Sequence, residues 1–279
     1  HPVGLHTLAW APWGDGGMAR ADNNGNVFVV DTRSGAVRSF LSLHPAPVLR
    51  LAWSRQRPSW VASTSTNGMA LVWNPNSGEV VRKITHLQPS HGVAWQEVPS
   101  ESAAASPPPQ LLLGNASGSI MRWDIGSTDA PQTVKAHSSV VFNVAASPLA
   151  PHLVASASND GNVAIWNTLD DTVMLLRGHS DRIRALTWHT ELVHVLITGS
   201  WDCTIRVWDT SSGRCLGVCR EHRSDVYAVA THPARPDTFV SVSRDSTLRW
   251  WKMNRPSSGL RSALLAAAGI HLLHGGGEG

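Results

Sequence analysis

Residues 178–209 read GHSDRIRALTWHTELVHVLITGSWDCTIRVWD. The segment opens on Gly-His and closes on Trp-Asp, and three short apolar runs lie between them. Ile183–Trp188, Val193–Thr198 and Thr204–Val207 alternate or are rich in β-branched residues. Each therefore predicts a strand. Asp202 stands in the tight turn between the second and third. Past the Trp-Asp pair, Ser211–Gly213 predicts a turn and Arg214–Arg220 a fourth strand.

The same pattern recurs along the chain. Histidines equivalent to His179 are His1, His44, His86, His137 and His222, at steps of 43, 42, 51, 42 and 43 residues in chain order. Trp208 follows His179 by 29 residues, and Trp73, Trp166 and Trp251 follow His44, His137 and His222 by the same 29. Only the third repeat departs, with 37 residues from His86 to Trp123. A tryptophan nine residues after the histidine (Trp10, Trp53, Trp95, Trp188) places the extra residues between Trp95 and Trp123. That interval contains EVPSESAAASPPPQ, small and Pro-rich, which predicts an extended loop.

Self-similarity at this period makes the chain one repeat architecture whatever its length of 279 residues. A hydrophobic content of 42% suits an ordinary core. The formal charge of +3 is too small to imply nucleic acid by itself. Cys203, Cys215 and Cys219 show no paired spacing and point to a reducing compartment, cytoplasmic or nuclear. No apolar run approaches the length of a membrane span.

Repeats of about 43 residues that begin at Gly-His or His and end at Trp-Asp resemble the WD-repeat family. The resemblance covers residues 1 to about 265. It implies an all-β protein: a WD-repeat β-propeller with six recognisable four-stranded blades over residues 1–268, starting near His1, His44, His86, His137, His179 and His222, and a disordered Gly-rich tail at 269–279. The array is expected to be part of a longer one, since it starts abruptly at His1. Leu260–Leu265 is expected as the last outer strand, with a short helix over LLAAAGIHLL as the alternative. The turn glycines Gly35, Gly78 and Gly213 are expected at positive φ. From His179 onward the repeats look most like those of large WD-repeat proteins, a likeness that carries no activity.

The family also implies a polar network within each blade. The turn Asp bonds the imidazole, the imidazole meets a Ser or Thr of the second strand, and that hydroxyl meets the Trp indole. The set is complete three times: His137, Ser156, Asp160 and Trp166; His179, Thr198, Asp202 and Trp208; His222, Ser241, Asp245 and Trp251. In repeat two, Asn67 replaces the Asp beside His44, Ser63 and Trp73. Ser117 and Leu113 depart in repeat three, and Asn24, Arg20 and Val30 in repeat one. Weaker N-terminal blades are expected.

Fourteen histidines invite a metal or a catalytic base, but six are repeat landmarks. HLLH at His271–His274 lacks the Glu of a zinc hydrolase motif. GNASG at Gly114–Gly118 does not centre its Ser between glycines, and no GK[ST] follows any repeat glycine. No enzyme, cofactor or metal is expected.

The family's ligands usually lie over one face. It is lined by the residues three and five places after the repeat histidine and by the residue before the turn Asp. Those positions give Phe142, Arg182, Arg184, Trp201, Tyr227 and Arg244 in repeats four to six, types that dominate binding hot spots. Repeats one to three give Leu49, Pro47, Pro89, His6 and His91, a more apolar and neutral arc. The expected function is a scaffold for a protein or peptide partner, acidic or phosphorylated, without a membrane. The alternative is an RNA-associated propeller that uses the same arginines and aromatics.

Overall fold

The fold is that of a computed structural model, which describes residues 5–12, 16–85, 88–97, 109–253 and 272–275. The described residues are all-β, with six antiparallel sheets of four strands. In chain order the first sheet holds β1 (Leu5–Trp10), β2 (Gly17–Asp22), β3 (Asn26–Asp31) and β4 (Val37–Ser42). The second holds β5 (Val48–Trp53), β6 (Val61–Ser65), β7 (Ala70–Trp73) and β8 (Val80–Ile84). The third holds β9 (Ser90–Gln96), β10 (Gln110–Asn115), β11 (Ser119–Asp124) and β12 (Gln132–Lys135). The fourth holds β13 (Val141–Ala146), β14 (Leu153–Ser158), β15 (Val163–Asn167) and β16 (Thr172–Leu176). The fifth holds β17 (Ile183–Trp188), β18 (Val195–Ser200), β19 (Ile205–Asp209) and β20 (Arg214–Cys219). The sixth holds β21 (Val226–His232), β22 (Arg235–Ser243), β23 (Leu248–Met253) and β24 (Leu272–Gly275). Every sheet is a meander in sequence order. No helix among the described residues is long and apolar enough to cross a membrane.

The chain divides into two compact units, His1–Val144 and Ala145–Gly279. In the first, Ala19, Ala21, Val27 and Val29 alternate along β2 and β3 and meet Val48, Leu51, Leu71 and Trp73 of the next sheet. Ala62, Ala70 and Val72 face Leu111, Leu113 and Trp123 in the same way. In the second unit, Ala155, Ala157, Val163 and Ile165 meet Ile183, Leu196 and Trp208. Val195, Ile197, Ile205 and Val207 meet Val226, Phe239 and Trp251. Inner strands such as β6 and β18 are buried at every position, whereas β4 and β8 are mostly exposed. A sheet whose two faces are both covered needs continuous apolar or small residues in its middle strands, and these have them.

Hydrogen bonds tie successive sheets at the repeat spacing. Trp95 Nε1 donates to the Ala52 carbonyl at 3.0 Å, 43 residues back. Trp188 Nε1 donates to the Ala145 carbonyl at 3.0 Å, again 43 residues back. Gly35, Gly78 and Gly213 take φ of 73°, 74° and 74°. There the turn folds back so that each glycine N–H reaches the carbonyl of Asp31, Asn74 or Asp209.

The structure differs from the sequence reading at two places. The second strand of repeat five is Val195–Ser200, two residues later than expected. His189 Nδ1 accepts the N–H groups of Glu191 and Leu192 at 3.0 Å, and this turn uses up the start of the apolar run. In repeat six the outer strand is Leu272–Gly275, inside the segment read as a disordered tail. It pairs from Met253↔Leu272 to Trp250↔Gly275 and so gives the edge of β23 a hydrogen-bonding partner. Leu260–Leu265 and the alternative helix, the repeat landmarks His1 and His86, and residues 98–108 of the insertion lie outside the described residues.

Candidate partner-binding cluster

The repeat histidines hold the turns that present the candidate site. In the fifth sheet, His179 Nδ1 is 2.8 Å from Asp202 Oδ2, His179 Nε2 is 2.8 Å from Thr198 Oγ1, and Trp208 Nε1 is 2.8 Å from the same hydroxyl. One proton arrangement satisfies all four groups: the indole N–H donates to Thr198, the Thr198 hydroxyl to Nε2, and Nδ1–H to the carboxylate. Asp202 also accepts the Ser180 N–H and the Thr204 hydroxyl. Burial pushes the Asp202 carboxyl up, but these bonds outweigh it and hold it well below the usual carboxylate range. Burial keeps His179 below its ordinary pKa despite the pull of Asp202. The sixth sheet repeats the geometry: His222 lies 2.9 Å from Asp245 and 2.7 Å from Ser241, and Trp251 Nε1 lies 2.8 Å from Ser241.

Other sheets close the turn by other means. His44 Nε2 meets Ser63 at 2.7 Å, and Trp73 Nε1 meets Ser63 at 3.1 Å. His44 Nδ1 meets Ser65 at 3.0 Å, and Ser65 in turn donates to Asn67. In the first sheet Asp22 accepts the Asn24 and Asn26 N–H groups. In the third, Asn115 accepts those of Ser117 and Ser119. Asp22 and Asn115 occupy the place two residues before the turn Asp, a position the sequence reading passed over. A short polar residue there in every repeat is the signal that marks it: Asp22, Ser65, Asn115, Ser158, Ser200 and Ser243. In repeat four, His137 belongs to the first unit, and Ser156, Asp160 and Trp166 to the second. Within the second, Asp160 N–H donates to Ser158 Oγ at 3.1 Å and Trp166 Nε1 to Asp171 at 3.2 Å.

Two backbone devices gather the face positions. First strands carry a β-bulge at the fifth residue after the histidine: pairing jumps from Val48 to Arg50, Ile183 to Ala185 and Val226 to Ala228, skipping Leu49, Arg184 and Tyr227. A bulge re-aims the skipped side chain. The residue before the turn Asp donates its N–H to the carbonyl of the third-position residue. Trp201 bonds Arg182 and Arg244 bonds Asp225, each at 2.9 Å. Three positions scattered over some twenty residues of sequence thus become neighbours.

In the second unit Arg182, Arg184, Trp201 and Tyr227 form one cluster, and Arg244 pairs with Asp225. The Arg182 and Arg184 guanidiniums stand over the Trp201 indole, 5.0 and 4.7 Å from its centroid. Tyr227 meets that indole edge-on, with centroids 6.3 Å apart and planes at 86°. Arg244 Nη1 lies 3.6 Å from Asp225 Oδ2, its side chain 70% exposed against 18% for the acid. Tyr227 is 47% exposed. A cation held over an aromatic face gains roughly 0.5–2 kcal/mol, which offsets part of the repulsion between two adjacent guanidiniums. Phe142 is placed in the first unit, stacked on His91 at 5.5 Å, with Arg50 Cζ 4.9 Å from its centroid.

Four-stranded meander sheets, three of them locked by a His–hydroxyl–Trp relay, define the blades of a β-propeller protein. The family model described as WD domain, G-beta repeat matches residues 129–167, 171–209 and 213–252. Residues 129–252 thus carry three WD repeats. It is 31% identical to the mouse (Mus musculus) peroxisomal targeting signal 2 receptor over 37% of this chain and 33% of that protein. It is 26% identical to WD repeat-containing protein pop1 of Schizosaccharomyces pombe over 74% of the chain and 26% of that protein. It is also 26% identical to nuclear distribution protein PAC1-2 of Uncinocarpus reesii over 85% of the chain and 56% of that protein. The chain spans between a quarter and a little over half of the length of these relatives.

Proposed function

We propose that this chain is a non-catalytic interaction scaffold. It binds an acidic or phosphorylated segment of a protein partner over Arg182, Arg184, Trp201, Tyr227 and Arg244. The observation that carries the reading is the pair of guanidiniums stacked on Trp201 beside an exposed Tyr227. Stacking orients the Arg182 guanidinium so that its N–H edge suits a carboxylate or phosphate, which it pairs bidentately. Among the described residues no carboxylate pairs with Arg182. The aromatic rings supply the apolar area that a charged peptide lacks. That one relative is named as the receptor of a targeting signal agrees with a blade array that holds a segment of another protein.

The RNA reading asks the same residues to stack bases. The Trp201 face is already covered by two guanidiniums, which disfavours it. Affinity capture with mass spectrometry, comparing wild type with a Trp201→Ala, Arg184→Ala variant, identifies the partner. Its binding segment should then lose at least about 2 kcal/mol on Trp201→Ala and under about 1 kcal/mol on Leu49→Ala. Equal binding by wild type and both variants removes the cluster as the site. Salt-sensitive binding of a random-sequence RNA that Trp201→Ala abolishes would replace the peptide reading.

A further inference from the structure

Within each unit successive sheets stack by a recurrent joint, and its two halves differ in chemistry. One half is the face of a sheet's middle strands. In the fifth sheet Val195, Ile197, Ile205 and Val207 lie buried against Val226, Phe239 and Trp251 of the sixth. The other half rides on the first strand of the following sheet as a Leu and a Trp two places apart. Leu51 and Trp53 of β5 pack with residues of the first sheet, and Leu186 and Trp188 of β17 with residues of the fourth. The Trp188 indole then donates to the Ala145 carbonyl of the earlier first strand.

The sixth sheet shows a middle-strand half to solvent. Residues 43 places beyond Ile197, Ile205 and Val207 are Val240, Leu248 and Trp250. Ile205 and Val207 are 0% exposed, whereas Leu248 and Trp250 are 56% and 49% exposed. The register lines up Ala228, Val242 and Leu248 in one cross-strand row and Ala230, Val240 and Trp250 in the next. Directly opposed residues share a face, so these six make one apolar surface. The first sheet shows the other half. Leu8-Ala9-Trp10 repeats the Leu-Ala-Trp of residues 51–53. Leu8 and Trp10 are 56% and 63% exposed, against 7% for Leu51 and 4% for Trp188.

A sheet face that stays in water carries polar residues. These two carry Leu and Trp in the register that is buried elsewhere, which marks them as surfaces for another protein surface. The joint also states what fits. The sixth-sheet face takes a first strand bearing Leu and Trp, with an indole N–H for the Ala230 carbonyl. Ala230 stands eight places after His222, as Ala52 and Ala145, the acceptors of Trp95 and Trp188, stand eight after His44 and His137. The strand β1 of this same sequence has that composition.

We propose that the two faces join copies of this chain, with Leu8 and Trp10 of one copy packed on Leu248 and Trp250 of the next. The contact is heterologous, so successive copies build a ring or an open row. It uses none of the residues of the Trp201 cluster and does not rest on that cluster's binding a partner.

Sedimentation of the whole chain between about 1 and 100 μM tests it, and the average mass of wild type should rise at least about 1.5-fold over that range. Trp10→Glu and Trp250→Glu should each stay monomeric. Leu8→Lys and Leu248→Lys replace them should a Trp variant fail to fold. Mixed in equal amounts, the first-sheet and sixth-sheet variants should pair one to one and form nothing larger, because one sound joint remains between them. Arg182→Ala, Arg184→Ala should associate as wild type does. A wild type that stays monomeric overturns the proposal, whether its faces meet within one chain or await a different blade. A single variant that still associates, or a mixture that does not pair, overturns it too. Association lost in the Arg182, Arg184 variant would move the contact to that cluster and overturn it as well.

Discussion

Ser65 Oγ lies 3.0 Å from His44 Nδ1, in the place that Asp202 Oδ2 takes beside His179. A hydroxyl brings no charge, so nothing in the second sheet offsets the desolvation of the imidazole. Burial, with Lys83 nearby, lowers the His44 pKa to about 4 from an unfolded value of 6.5. The folded state therefore keeps His44 neutral where the unfolded chain protonates it. Stability from this group is fully present above pH 6.5 and is lost as the pH falls toward 4. The total is about 3 kcal/mol, of which about 2 kcal/mol is lost between pH 7 and pH 5. Urea denaturation at those two pH values should show a smaller acid loss for a folded His44→Gln variant than for wild type. Parallel losses would show that His44 does not titrate as placed.

The Asp202 carboxylate accepts from His179, Ser180 and Thr204. Asp202→Ala strands the imidazole N–H, the Ser180 N–H and the Thr204 hydroxyl, at a cost of about 3 kcal/mol. Ser117 holds the corresponding place in the third sheet but is exposed, and its hydroxyl bonds only within its own turn. Ser117→Ala should cost under about 0.5 kcal/mol. Chemical denaturation of the two variants checks the contrast, and equal losses would contradict it.

The residue after the turn Asp is left-handed in every sheet: Gly25, Gly68, Gly118 and Gly161, then Cys203 and Ser246 at φ of 66° and 65°. At Gly118 an added Cβ would stand 2.3 Å from the His137 carbonyl oxygen, so Gly118→Ala meets both backbone strain and a clash. A loss of more than about 2 kcal/mol is expected. Cys203→Gly relieves strain at a place that already holds a side chain, and its effect should lie between neutral and about 1 kcal/mol stabilising. Paired melting curves decide: a destabilised Cys203→Gly would mean that its thiol packs more than its backbone strains.

Cys215 is exposed, Cys203 partly so, and Cys219 buried with its pKa pushed up by that burial. A thiol reagent at neutral pH should label Cys215 first and Cys219 only on unfolding. Peptide mapping after short exposure reads the order. Early loss of Cys219 would show that the outer strand β20 opens in the native state.

Most of the fold is legible in the sequence because a stacked repeat writes its spatial period into residue numbers. His179, Thr198, Asp202 and Trp208 are related by count alone, and the turn glycines by the need for positive φ. Three things are not legible. Arg50 lies one place beyond the bulge position, and counting cannot show how far a long side chain reaches. Asp22 and Asn115 close their turns from a position the family pattern leaves unmarked. The strand at Leu272–Gly275 is four residues with no alternation, which composition cannot separate from a loop. The candidate cluster was legible as positions. Its internal order, two cations on one indole, depends on side-chain directions that no spacing encodes.

The bonds from Trp95 to Ala52 and from Trp188 to Ala145 each reach back 43 residues. Within each unit, a sheet therefore finds its packing partner in the stretch translated just before it. At about 5–20 residues per second a repeat takes roughly 2–9 s to leave the ribosome. A hairpin forms in about 1–10 μs. Within each unit a sheet has time to settle on its predecessor before the next emerges, so its apolar strands are covered while the rest of the unit is still being made.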